Sequence, residues 1–78
     1  MPFAPELVDE LNTLLRFDVE TGQQGIKVHK AAGAAIVAAT ARLHAKGLIT
    51  LADGGYLTRS GRQAAEHAQA ALKLLTAA

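Results

Sequence analysis

The sequence predicts an α+β fold of order helix, strand, helix, β-hairpin, helix, built as a single domain over residues 1–78. Three observations carry it: apolar spacing of helical period in the first sixteen residues and again after residue 58, period-two alternation at Ile26-Lys27-Val28-His29, and two strand-like runs flanking Ala52-Asp53-Gly54-Gly55. The chain is 78 residues with no cysteine and a net charge of +1. Chains of this size bury only ~60% of their unfolded surface and fold near the margin. Half the residues are apolar, but 17 of those are alanine, so few large side chains remain to fill a core. A second copy of the chain is one way to supply the missing burial, and a homodimer is kept as an expectation for that reason.

The first helix is expected over residues 5–16. Pro5 suits the first helical position, where a missing N–H costs nothing, and Glu6, Asp9 and Glu10 meet the positive end of the helix dipole. Leu7, Val8, Leu11, Leu14 and Leu15 then fall on one face. Residues 17–25 lose this period, carry Gly22 and Gly25, and are expected to form a loop. Ile26 to His29 follows as a short strand, with Ile26 and Val28 facing inward and Lys27 and His29 outward.

An alanine-rich helix is expected over residues 32–46, its stripe marked by Ile36, Val37, Thr40, Leu43 and Gly47. Gly47 is placed to end it in a left-handed conformation, with Leu48 packing back on the last turn. Leu48 to Leu51 and Tyr56 to Thr58 form the hairpin, the Asp53-Gly54 pair providing positive φ values for its turn and Tyr56 sitting in the core or at its rim. Thr58 has the chemistry of an N-cap. The last helix then repeats Ala64 or Ala65, Ala68, Leu72 and Leu75 at helical spacing.

Charge is segregated along the chain. Residues 1–26 carry Arg16 against five acids, whereas residues 27–62 carry Lys27, Lys30, Arg42, Lys46, Arg59 and Arg62 against Asp53 alone. Such a basic middle segment suits a polyanion such as double-stranded DNA, and it equally suits a face that simply stays solvated. Lys46 and Arg42 have a local use as well, because cations in a last helical turn oppose the negative end of the dipole.

Several chemistries are not supported by the residues. Without cysteine there is no disulfide framework, thiolate nucleophile or cysteine-based zinc site. His29, His44 and His67 form no i, i+4 pair. Ser60 and His67 lie seven residues apart on one helix, about 10 Å at 1.5 Å per residue, beyond the reach of a nucleophile and its base. Phe3, Phe17 and Tyr56 are too few and scattered for a base-stacking platform. Gly22-Gln23-Gln24-Gly25 matches a Gly-x-x-Gly clamp, but it leads into a strand instead of joining two helices, and is read as a plain turn. No enzyme, cofactor, metal or small-molecule ligand is expected. The start of the chain lacks a basic, then apolar, signal segment and no run is long enough to span a bilayer, so a cytoplasmic protein is expected.

Lys46-Gly47-Leu48-Ile49-Thr50, Asp53-Gly54-Gly55-Tyr56-Leu57-Thr58 and Gly61-Arg62 together resemble the second half of a bacterial winged-helix domain. The resemblance implies a recognition helix ending at Gly47, a wing over Asp53-Gly54 and a following helix opened by Thr58. The opening Met1 to Val8, the segment Gln23 to His29 and this second half are also similar to a small family of bacterial proteins of unknown function. The winged-helix resemblance implies a DNA-binding or DNA-associated regulatory module, its six cations on phosphates and its hairpin near the minor groove. The alternative is a protein-interaction or dimerisation module on the same scaffold, with the apolar parts of the first and last helices as its contact surface. Two departures bear on the choice: a helix-turn-helix needs a helix just ahead of the recognition helix, where this chain has a loop and a strand, and the start of that helix is Ala31-Ala32-Gly33-Ala34-Ala35, poor in base-reading groups.

Overall fold

The computed structural model describes residues 2–20 and 25–77. It contains helix α1 (Pro5–Leu14), strand β1 (Ile26–Lys27), a 3₁₀ turn (Lys30–Ala32), helix α2 (Ala34–Ala45), strands β2 (Ile49–Leu51) and β3 (Gly54–Leu57), and helix α3 (Arg59–Thr76). The predicted α+β class and element order hold. The three strands form one antiparallel sheet of order β1-β3-β2, an arrangement compatible with a winged-helix-like topology. The central strand is the one with two glycines: a Cβ at Gly54 would overlap the Ile26 carbonyl of β1, and one at Gly55 the Thr50 hydroxyl of β2.

Each boundary moves for a local reason. Helix α1 stops at Leu14 because Arg16 and Phe17 donate to the carbonyls three residues back, tightening the chain into a turn. That turn drives Phe17, expected in a loop, into the core at 2% exposure. β1 is two residues shorter than expected, yet its facing is as predicted: Val28 is buried, Ile26 half-buried, and Lys27 and His29 are exposed. α2 begins only after Gly33, since Lys30 to Ala32 form the 3₁₀ turn. The Gly22 to Gln24 turn lies outside the described residues.

The hairpin turn is Ala52-Asp53, and the positive φ values fall on Gly54 and Gly55, at 136° and 75°, not on Asp53. Ile49 pairs with Leu57 and Leu51 with Gly54, so β3 carries one residue more than β2 between these pairs. Such a bulge re-aims the side chains around it. Tyr56, expected in the core or at its rim, is half exposed.

The core gathers Leu14, Phe17, Leu43, Ile49 and Ala65, with Val19, Ile26, Leu48, Leu57 and Ala64 packed against it. Among the predicted stripe of α2, Thr40 and Leu43 are buried and Ile36 and Val37 half-buried. Thr13 and Thr40, both fully buried, satisfy their hydroxyls by donating to the carbonyls of Asp9 and Ile36 at 2.7 Å. The expected stripe of α3 is covered only at its start: Gly61 and Ala65 are buried, while every described residue from Ala70 onward is exposed. Among the described residues no helix is long and apolar enough to cross a membrane.

Candidate interaction surface

The six predicted phosphate-contacting cations fall into three places. Arg42 and Lys46 leave α2 one turn apart and converge on α1, where Glu10 receives both. Arg42 Nε donates to one carboxylate oxygen at 3.0 Å, Lys46 Nζ donates to the other, and Arg42 also reaches the Glu6 carbonyl at 3.2 Å. Glu10 is only 5% exposed. Burial works to raise its pKa, but the hydrogen bonds and charges of Lys46 and Arg42 together outweigh it and hold the carboxyl below its usual range. These are the two ion pairs among the described residues, and they clamp α1 to α2.

The other four cations bracket the hairpin. Lys27 pairs opposite Gly54, and the neighbouring Val28 N–H donates to the Asp53 carbonyl at 2.7 Å, so Lys27 and Lys30 stand near the hairpin turn. Arg59 and Arg62 occupy the first turn of α3, beyond the other end of β3. Four strand residues at about 3.3 Å each put roughly 10 Å or more between the two pairs. The start of α2 presents Ala34 and Ala35 to solvent, and the described residues between α1 and α2 hold a strand and a 3₁₀ turn where a helix-turn-helix has a helix.

The residues of the winged-helix resemblance form a joint. Gly47, at φ 78°, ends α2: its N–H donates to His44 O and the Leu48 N–H to Leu43 O, the paired closure of a left-handed helix end. Thr58 then ties this end to α3. Its hydroxyl donates to Gly47 O at 2.7 Å and accepts from the Gly61 N–H at 3.1 Å, while its own N–H donates to Leu48 O at 3.0 Å. Gly61 lies directly on the Leu48 carbonyl, where a Cβ would overlap it. The motif is therefore a helix-to-helix coupling, with the Thr58 hydroxyl and N–H spent on backbone.

The alternative reading of the sequence puts a contact surface on the apolar parts of the first and last helices. Between the outer side of α1 and α3 runs an apolar groove of about 510 Å³. Val8, Leu11 and Leu15 line one wall and Ala68, Leu72 and Leu75 the other, with Phe3 at the α1 side. Its polar groups are Asn12 and His67. Of these lining residues Leu75 is 84% exposed and Phe3 67%, and Leu74, next to Leu75 in the chain, is 80% exposed. The signal was present in the sequence: α1 carries apolar residues around more of its circumference than one core can cover, and Leu72, Leu74 and Leu75 crowd the last turns of α3. Among the described residues no group of three histidine or acidic side chains could hold a metal ion.

The geometry defines a small α+β domain with a tightly coupled helix–hairpin–helix joint and an open apolar face on its outer helices. The chain belongs to a family of unknown function (DUF5669), whose model matches residues 1–76. No curated protein and no solved structure matches it.

Proposed function

We propose that this domain is a protein-interaction module working through the apolar face of α1 and α3. The observation that carries this reading is the groove between those helices, whose lining residues Phe3 and Leu75 are 67% and 84% exposed. Contiguous exposed apolar surface of several hundred Å² on a soluble domain marks a docking face. A slot between two helices fits the apolar side of a further helix. A small molecule is a poorer fit, because oriented binding needs several convergent polar groups and this groove offers only Asn12 and His67.

The nucleic-acid reading retains one favourable observation. Lys27, Lys30, Arg59 and Arg62 make no ion pair among the described residues and stand at both ends of the hairpin. Against it, Arg42 and Lys46 are both engaged by Glu10, and α2 offers alanine where base-reading groups are needed.

Titration of the isotope-labelled chain with a generic duplex at low and then high salt separates the two readings. The interaction reading expects no salt-sensitive amide shifts at low salt, where phosphate attraction is strongest. Shifts clustered on Lys27, Lys30, Arg59 and Arg62, with log K falling against log salt at a slope of about −3 to −4, would replace it with DNA binding.

A further inference from the structure

We infer that the α1/α3 face is covered by a second copy of this chain, in a two-fold dimer that seats the end of each α3 against the groove of its partner. This rests on the interaction reading above and names its occupant. Two observations point to self-association.

The face carries both a hollow and the projections that fill one. Leu75, which lines the groove with Val8, Leu15, Ala68 and Leu72, stands 84% exposed, and Leu74 beside it in the chain is 80% exposed. A two-fold axis requires this kind of patch, since residue i of one copy meets j of the other while j meets i. The alanines of α3 leave space for the incoming helix to approach closely.

Area agrees with a dimer of ordinary size. Taking roughly 100 to 150 Å² of apolar surface for a fully exposed large side chain, the exposed parts of Phe3, Val8, Leu72, Leu74 and Leu75 sum to on the order of 400 Å² per copy. A standard interface buries ~800 Å² per partner, of which about 60% is apolar. The patch therefore supplies most of the apolar surface such an interface uses. Its burial would also cover the last turns of α3, where every described residue from Ala70 onward is exposed. Short helices in water owe their stability to packing.

Sedimentation velocity of the full chain, from about 1 μM to 1 mM, tests this directly. The expected result is a monomer–dimer equilibrium, shifted to monomer at least a hundredfold by the double substitution Leu74→Glu with Leu75→Glu. Phe3→Ser, on the opposite wall, should weaken it independently. Far-UV circular dichroism confirms that the folds persist. Intermolecular nuclear Overhauser contacts between Leu75 and Val8 methyls in a mixed-label sample would fix the register. A chain that stays monomeric at 1 mM overturns the second copy as occupant and leaves the interaction reading to the duplex titration. A dimer that survives both sets of substitutions overturns the proposal and the use of this face together.

Discussion

The two ends of α3 obey different rules although they belong to one helix. Its first turn is held by three hydrogen bonds between Thr58, Gly47, Leu48 and Gly61, and it rests on backbone where no side chain fits. Its last two turns expose Leu72, Leu74 and Leu75 beside the groove shared with α1. The first end is specified by its own neighbours and is closed. The second is open and apolar. Substitutions at the two ends should accordingly read out in different assays, folding for one and association for the other.

The largest effect is expected at Gly61→Ala. The new methyl would overlap the Leu48 carbonyl, so α3 must shift off the α2 end, and overpacking of this kind costs ~1 to 3 kcal/mol, here toward the upper part of that range because the obstacle is backbone. Urea denaturation should show it as a lowered midpoint at unchanged slope. Wild-type stability despite the methyl would mean that the joint is loose.

Next comes Glu10→Ala. Removing a buried carboxylate strands Arg42 and Lys46, but their side chains are 36% and 46% exposed and recover water, so the loss should be about 1 to 2 kcal/mol, short of the 3 to 5 of a fully buried pair. Its pH dependence follows from the lowered pKa of folded Glu10. The unfolded chain takes up the proton first as pH falls, so this contribution is complete above the usual carboxylate range and fades as pH drops through the lower folded value. The difference between wild type and Glu10→Gln should shrink along that path in acid denaturation curves. A difference that stays constant into strong acid would remove Glu10 as its source.

Thr58→Ala should cost about 1 kcal/mol, as losses of N-cap hydroxyls do, with a further contribution from the Gly47 carbonyl it leaves without this donor. Equilibrium unfolding of the single variant and of a Thr58→Ser companion distinguishes hydroxyl from methyl. The smallest change in monomer stability belongs to Leu75→Glu, within about 0.5 kcal/mol, because the side chain has almost nothing to lose. Measured at concentrations where the chain is monomeric, a larger loss would show that the end of α3 folds back on its own domain.

Element types were readable because their signals are local. Pro5 with the acids behind it, the Lys46-Gly47-Leu48 stop and the Thr58 cap each act within one or two turns of chain, and all three are where the sequence put them. Boundaries near competing signals were not readable. Phe17 looks like a loop residue until the tight turn after Leu14 swings it inward, and the positive φ values moved from Asp53-Gly54 to Gly54-Gly55 because the bulge in β3 sets the hairpin's twist. The basic segment was visible, but its division was not: Glu10 lies 32 residues from Arg42 and 36 from Lys46.

By itself, then, the sequence determined the order of helices and strands, the two ends of the helix–hairpin–helix joint and the placement of Val28 inward and Lys27 outward. Those properties follow from dihedral preferences, capping and short periodicities, which residues a few positions apart settle among themselves. Only the tertiary structure decided that two of six cations serve α1, that the remaining four divide between the ends of the hairpin, and that apolar residues of α1 and α3 meet in an uncovered groove. Burial and charge pairing depend on which distant segments become neighbours, and a helix has more apolar faces than one small core can use.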